Sequence, residues 1–400
     1  MNKSNRRSLT VLVFTMMVVL GIIGSLQGQI SPLLQRGYGL NNSQLGFALA
    51  FFSVGGIIAS FFGGPLVDAL GLKKVSLLAM FISIFGVIWI SYVSKYYILI
   101  IVIFIIGAGL GIFNLSINSL ASEVFVENKG RMMNLLHLFF GLGGIISPVY
   151  ASYVLSANFK WEAIYSFSSI FLVGIAIFVL VSKIPKAKGT KKGKGAKESF
   201  LKVLKDPRVL IFSLMFLFHS GAEISSKIWL GVYLINVQGR SDGEVSFYFF
   251  LFFLFFTAGR LIASIIVEKV GYLRMVIISS LGAIVSITLG VVGPESFAIF
   301  FPLTGLFIAS NFPTMQATIF EVFDDNIPTI LGLTLTASSL GTIILGNLGI
   351  GFINDILGIK FGYGSIAIFL VLLTGLVLYL DYNYLGRVLF SSEGELKLGK

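Results

Sequence analysis

The sequence predicts an all-α membrane protein with twelve transmembrane helices arranged as two six-helix bundles. Of its 400 residues, 56% are hydrophobic and only 12% are charged, which is about half the charged share of a soluble protein. The mean hydropathy is +0.94. The hydrophobic residues also form blocks of about 20, the length that crosses a bilayer core of roughly 30 Å as a helix. A soluble fold is therefore excluded.

The hydrophobic blocks place the helices in chain order. Six of them form an N-terminal bundle within 1–182, at about 8–30, 42–67, 74–93, 96–122, 131–156 and 161–182. A basic linker follows at 183–208. The other six form a C-terminal bundle within 209–400, at about 209–237, 244–267, 274–293, 296–322, 328–353 and 362–385. The first block is longer than the core of a signal peptide, and it is therefore predicted to be a helix of the mature protein.

The distribution of basic residues predicts the orientation in the membrane. Connections on the side of the N-terminus hold 22 Lys and Arg, whereas those on the opposite side hold five. Because basic loops stay in the cytoplasm, both termini and the linker are expected on the cytoplasmic side of the inner membrane. The net charge of +11 is explained in this way, and no nucleic-acid partner is expected. The lysines of the linker favour a flexible tether, with lipid sensing as an alternative.

Two similarities at nearly the same spacing relate the halves of the chain. The segment Glu123-Val-Phe125 ends the fourth predicted helix, and Glu321-Val-Phe323 ends the tenth, 198 residues later. The segment Gly64–Gly71 follows the second helix, and a related segment with Glu268 follows the eighth at an offset of 200. These offsets predict a six-plus-six duplication, with a solute held near mid-membrane between the halves.

The same connections carry a family resemblance. Gly64-x-x-x-Asp68-x-x-Gly71-x-Lys73-Lys74 resembles the signature loop of the major facilitator superfamily. Further segments resemble its fucose–galactose–glucose:proton symporter branch, namely Gly221-Ala222-Glu223, Gly259-Arg260 and Phe312-Pro313-Thr314. The resemblance implies the major facilitator fold, alternating access, proton-driven sugar uptake and a monomeric protein.

Charged side chains inside membrane helices are rare and usually functional. Glu223 lies near the middle of the seventh helix, and His219 and Lys227 are four residues away on the same face. Arg260 of the eighth helix could reach them. We interpret these four residues as a proton-coupling or charge network, in which Lys227 and Arg260 tune Glu223 or bind an anionic group. The alternative is a structural pair that joins the two helices.

Other polar residues at mid-depth are candidates for solute binding. Amides and aromatic rings suit a sugar, whose hydroxyls donate and accept and whose ring stacks. The predicted substrate-binding residues are Gln27, Asn114, Asn118, His137, Glu223, Lys227, Trp229, Asn311 and Gln316. For the amides, hydrogen bonding between helices is an equal alternative. Residues at the cytoplasmic helix ends are predicted to form gating contacts between the halves, namely Asp68, Lys73, Lys74, Glu123, Arg131, Glu268 and Glu321. Asp355, at the outer end of the eleventh helix, is predicted to be structural.

No motif supports an enzyme. The sequence has no cysteine and two histidines, so no metal site or cofactor is expected, and no phosphate-binding loop indicates ATP hydrolysis. Three functions remain open at this point. The first is proton-coupled uptake of a sugar or similar small polar solute, and the second is export or flipping of an amphipathic drug or lipid. The third is a sensor that keeps the transporter fold.

Overall fold

The computed structural model describes residues 3–125, 129–184, 203 and 205–385. Within them, twelve helices are long and apolar enough to cross a membrane. The first six are α1 Lys3–Tyr38, α2 Asn42–Leu70, α3 Leu72–Trp89, α4 Tyr96–Val124, α5 Lys129–Ser156 and α6 Glu162–Val181. Next come α7 Pro207–Asn236, α8 Asp242–Val270 and α9 Tyr272–Val292. The last three are α10 Phe300–Ile308 continued by Asn311–Val322, α11 Ile327–Leu357 and α12 Ile359–Leu380. Most of the predicted linker lies outside the described residues.

The helix pairings of the first half recur in the second. Helix α1 packs on α5, α2 on α4, and α3 on α6; correspondingly, α7 packs on α11, α8 on α10, and α9 on α12. Among the described residues, the halves meet mainly through three pairs of helices, α1 with α7, α2 with α11, and α5 with α8, and α1 also contacts α8. Large apolar side chains such as Ile170 and Ile265 are exposed on the outside, where a bilayer would surround them.

Close contacts between backbones reproduce the offset seen in the sequence. A Cβ atom added at Gly107 of α4 would collide with the carbonyl oxygen of Phe52 in α2. In the second half, a Cβ atom at Gly305 of α10 would lie 2.6 Å from the carbonyl oxygen of Phe252 in α8. Glycine is required at both positions because the facing helix leaves no room for a side chain. Two helix pairs are therefore built alike, as the duplication predicts.

Helix ends differ from the predicted ones where local caps override hydrophobicity. Helix α1 runs to Tyr38 rather than to about residue 30, and the chain then turns at Gly39 with φ 63°. Asn41 next caps α2, and its side chain accepts a hydrogen bond from the Gln44 N–H at 2.8 Å. The extension contains Pro32, Gln35 and Arg36, which hide it from a hydrophobicity criterion.

Helix α7 begins at Pro207 because Asp206 caps it. The Asp206 carboxylate accepts hydrogen bonds from the backbone N–H of Arg208 at 2.9 Å and from its guanidinium at 2.7 Å. The side-chain hydrogen bond from Arg208 holds the pKa of Asp206 below its usual value. The cap is therefore formed at neutral pH, and its contribution to stability is lost as the pH falls through that lowered pKa.

Replacing Asp206 with Ala is expected to lower the free energy of unfolding by about 1 kcal/mol, because the backbone N–H of Arg208 loses its acceptor. Thermal unfolding in detergent at neutral pH measures this change. Asp206→Asn is the matched control: it keeps an acceptor for the Arg208 N–H but loses the ion pair with the guanidinium, so it should unfold between the wild type and Asp206→Ala. Equal unfolding temperatures for all three proteins would contradict the role of the cap.

Helices α10 and α11 are irregular near their middles. Helix α10 is interrupted at 309–310, between its segments Phe300–Ile308 and Asn311–Val322. Helix α11 widens into a π-helical segment at Gly341–Gly349. There the backbone carbonyl of Gly346 accepts a hydrogen bond from the Trp229 indole at 2.9 Å. Such π-helical turns are frequent at functional sites, and this one faces α2 and α7 where the halves meet.

Candidate functional site

Three polar residues form a cluster on one face of α7. Glu223 sits between the other two: its Oε1 is 2.5 Å from Nζ of Lys227, and its Oε2 is 3.1 Å from Nε2 of His219. The side chain of His219 is fully buried, while Glu223 and Lys227 are 18% and 20% exposed. The spacing of four residues places the three side chains along one stripe of the helix, as the sequence predicted. We call this group the α7 cluster.

The α7 cluster lies at the contact between the two halves. A Cβ atom added at Gly28 of α1 would collide with the carbonyl oxygen of Lys227, and one added at Gly231 would lie 3.1 Å from the carbonyl oxygen of Gly28. Helices α1 and α7 therefore touch through their backbones beside the cluster. The charges of α7 point into the protein and not toward the surrounding lipid.

Helix α8 adds an aromatic ring and a second cation. The buried ring of Phe256 has Nζ of Lys227 at 5.2 Å from its centroid and the guanidinium carbon of Arg260 at 4.5 Å. Arg260 also donates a long hydrogen bond of 3.4 Å from Nε to the carbonyl of Ala309 in α10. Arg260 is close enough to Glu223 and to the His137 ring for electrostatic interaction. The structure thus brings together all four residues of the predicted charge network, with His137 nearby.

Several contacts seal the halves together at the end of the bundle away from the start of α1, which we call the distal end. Arg36 of α1 forms an ion pair with Asp242 of α8 at 2.6 Å. Deeper inside, Gln29 donates a hydrogen bond to the Ser246 hydroxyl at 2.7 Å. These pairs all connect residues more than 200 positions apart in the chain. The distal end is closed in this conformation.

Asp355 of α11 makes the most extensive of these distal contacts. Its carboxylate accepts hydrogen bonds from the backbone N–H of Asn42 at 2.9 Å, from the Asn42 side chain at 2.9 Å, and from the Ser43 N–H at 2.8 Å. These are the first N–H groups of α2, where a helix favours negative charge. Asp355 therefore ties one half to the other, which the prediction of a structural residue did not anticipate.

A sequence pattern that could have identified Asp355 as a contact residue surrounds it. The segment Gly351-x-x-x-Asp355-x-x-Gly358-x-Lys360 repeats the pattern of Gly64-x-x-x-Asp68-x-x-Gly71-x-Lys73. The final glycines also share one conformation, with φ 86° at Gly358 and φ 83° at Gly71. The signature pattern is thus present at both ends of the bundle, and the distal copy marks Asp355.

The predicted gating residues lie at the opposite end, where α1 begins, which we call the terminal end. Lys73 donates hydrogen bonds to the carbonyls of Leu180 and Ser182, at 2.6 and 3.0 Å, within its own half. Asp68, Lys74, Glu268 and Glu321 are exposed, and Glu123 is half-buried. The side chain of Arg131 lies outside the described residues. Gating by these residues in another conformation stays a prediction.

The predicted binding residues divide into two groups. Asn114 and His137 are exposed, and Asn118 donates a hydrogen bond to the Asn114 side chain at 2.8 Å. Gln316 is half-buried, one turn beyond Phe312, whose ring packs against Phe216 and His219 of α7. Gln27, 8% exposed, neighbours Gly28 at the contact with α7, and its Nε2 has no hydrogen-bond acceptor among the described residues. These five side chains remain candidates for contact with a solute.

Trp229 and Asn311 are fully buried in this conformation, so neither side chain is open to a solute here, and their role in binding stays a prediction. Trp229 is fully buried, and its indole donates to Gly346. Asn311 is fully buried as well and donates a hydrogen bond to Ser280 of α9 at 3.2 Å. Both serve packing between helices here. Asn347, which the sequence analysis missed, instead spans the halves and donates to the Ser53 hydroxyl at 3.5 Å.

Twelve membrane-length helices in two repeated bundles, with buried charges where the bundles meet, define a multi-pass membrane transport protein. The model of the Major Facilitator Superfamily matches residues 12–241 and 228–395. The chain belongs to this superfamily, so the predictions of the superfamily, its fold and a protein that is not an enzyme are confirmed.

Individual comparisons agree with this assignment. An uncharacterized MFS-type transporter of Yersinia pestis is 24% identical over 85% of this chain and 87% of its own length. The crystal structure of the nucleoside transporter NupG superposes with a TM-score of 0.75 at 15% identity, covering 96% of this chain and 100% of that one. The fucose:proton symporter FucP of E. coli superposes with a TM-score of 0.64 at 18% identity, covering 92% and 98%. The two superpositions show a shared fold.

Proposed function

We propose that this protein takes up a sugar or a similar small polar solute by alternating access, and that protons drive the uptake. The observation that carries the proposal is the α7 cluster, in which a carboxylate, an ammonium and an imidazole meet beside the contact of the two halves. A charge at this depth costs about 2.5–3.5 kcal/mol on insertion scales. Such a cost favours a functional role over a purely structural one.

We assign the proton to Glu223. When it is ionised, Lys227 and His219 hold it in place. Protonation removes the negative charge that attracts Lys227, so the hydrogen bonds of the cluster change when a proton binds. A change of this kind beside the α1–α7 contact would bias the two halves toward one arrangement.

A closed distal end supports alternating access. In the orientation that the basic residues predict, this end faces away from the cytoplasm, so the space beside the α7 cluster would be reached from the cytoplasm in this conformation. Solute would bind beside Glu223 from the distal side in the opposite conformation, and the contacts of Asp355 and Arg36 would then be broken. The protein would act as a monomer in the inner membrane with both termini in the cytoplasm.

The names of structural neighbours favour polar solutes. NupG is described as a nucleoside transporter and FucP as a fucose:proton symporter. The amides of Gln27 and Asn114 offer donors and acceptors that a hydroxylated solute can use. With no phosphate-binding loop in the sequence, the energy for uptake would come from an ion gradient.

Proteoliposomes that contain a pH-sensitive dye test this proposal. Adding a transported solute outside should acidify the interior, and Lys160→Gln, at an exposed position in a distal connection, should behave as the wild type does. Solute entry without acidification would contradict the proton coupling. If no sugar or nucleoside enters, whereas an amphipathic dye is moved, the export alternative replaces the proposal.

A further inference from the structure

We propose that the transported solute carries an anionic group, a carboxylate or a phosphate, and that Arg260 binds it. This inference rests on the proposed uptake through the space beside the α7 cluster. It narrows the solute class from neutral sugars to sugar acids or similar anions.

The first argument is the balance of charge. Glu223 is the carboxylate that forms an ion pair with Lys227, so these two charges offset one another. Arg260 is a second cation, and it forms no ion pair with an acid in the part of the chain that the structure describes. With Glu223 and Lys227 charged, the site keeps one unbalanced positive charge. A partly buried cation without a counter-ion is costly, and a bound anion would remove that cost.

The second argument is the geometry of the guanidinium. Its only hydrogen bond to a described residue is the long one from Nε to Ala309, which leaves both Nη groups without a protein acceptor. The Phe256 ring lies 4.5 Å from its central carbon and fixes its position. Two free N–H pairs on a rigid planar fork match the two oxygens of a carboxylate or phosphate.

The third argument is the rigidity of the backbone that carries Arg260. A Cβ atom added at the adjacent Gly259 would collide with the carbonyl oxygen of Leu306, so α8 and α10 are in backbone contact at this point. One turn earlier, a Cβ atom at Gly141 of α5 would lie 2.6 Å from the Thr257 hydroxyl. The stretch of α8 that carries Arg260 is thus held between α10 and α5. A preorganised donor of this kind is suited to selecting a ligand.

Binding measured by thermal shift tests the inference with matched pairs of solutes. Glucuronate is compared with glucose, galacturonate with galactose, and glucose 6-phosphate with both. The wild type should bind at least one anion more tightly than its neutral partner. Arg260→Gln should weaken binding of that anion at least about tenfold, the effect of one lost charged hydrogen bond, and should leave the neutral sugar unchanged.

A second variant and a salt control keep the result interpretable. Arg260→Lys keeps the charge but loses the fork, so it should bind the anion with intermediate affinity, and its unfolding temperature without ligand shows that it folds. Equal binding of the anion by wild type and both variants would overturn the inference. The inference would also be overturned if a chloride salt gave the same thermal shift at the same concentration as the sugar anion. That result would indicate a site for inorganic anions only.

The two proposals can fail separately. If neutral sugars bind and enter the liposomes with protons while Arg260→Gln is unchanged, only the anionic class is wrong. If no solute of either charge binds or enters, the proposed uptake fails as well.

Discussion

Glu223→Gln is expected to abolish solute-dependent proton movement and to destabilise the protein. The substitution removes the group to which we assign the proton, and it leaves Lys227 without the carboxylate that lies 2.5 Å from its Nζ. Breaking one side of a buried ion pair costs about 3–5 kcal/mol, because the remaining charge is uncompensated. Proton flux in liposomes and thermal unfolding in detergent measure the two effects separately.

A charge-balanced double variant separates function from stability. Glu223→Gln combined with Lys227→Gln leaves no unpaired charge in the α7 cluster, and we expect its unfolding temperature to return toward that of the wild type. Proton-coupled uptake should stay absent, since no carboxylate is present to carry the proton. Recovery of coupled uptake in the double variant would show that the pair is structural.

Asp355→Ala is expected to open the distal end. The carboxylate accepts three hydrogen bonds from the start of α2, two of them from backbone N–H groups, and a negative charge at such a helix end contributes up to about 2 kcal/mol. Its loss should shift the balance between the closed and open distal end by a factor of roughly 30. Asp355→Asn keeps an acceptor without the charge and should have a smaller effect.

Spin labels attached to introduced cysteines measure this opening. The chain contains no cysteine of its own that would also be labelled. Labels at Lys95, between α3 and α4, and at Lys360, in the first turn of α12, report the distal separation, because both residues are exposed and belong to opposite halves. Asp355→Ala should increase the population at long distance. Glu295→Ala removes another exposed acid near the distal end and should leave the distances as they are. An unchanged distribution in Asp355→Ala would show that other contacts hold this end closed.

The number and order of the helices could be predicted from the sequence because hydrophobic length is a local property. The duplication is also visible in the sequence, and the paired glycine contacts of α2–α4 and α8–α10 give it a physical basis. Within the site, the spacing of His219, Glu223 and Lys227 is enough to predict their common face, because all three belong to one helix. Their contact with α1 depends on tertiary packing, so it cannot be derived from spacing.

Orientation around a helix axis explains why two of the predicted binding residues are buried in this conformation. Trp229 and Asn311 lie at suitable depths, but each turns toward a neighbouring helix and meets a partner there, Gly346 and Ser280 respectively. Depth along a helix can be estimated from sequence, whereas the partner across a helix interface cannot. The contact of Asp355 with the other half was not predicted for another reason. Contacts between the halves were expected only at the cytoplasmic helix ends, and Asp355 lies at the opposite end.

The central claim is that the space beside the α7 cluster opens alternately at the two ends of the bundle. Distances between two pairs of spin labels test it most directly: Lys95 with Lys360 at the distal end, and Lys74 with Lys269, both exposed, at the terminal end. When a transported solute and a proton gradient are present, we expect the distal distance to lengthen as the terminal distance shortens. Distances that stay fixed, or that change together at both ends while solute crosses the membrane, would contradict this mechanism.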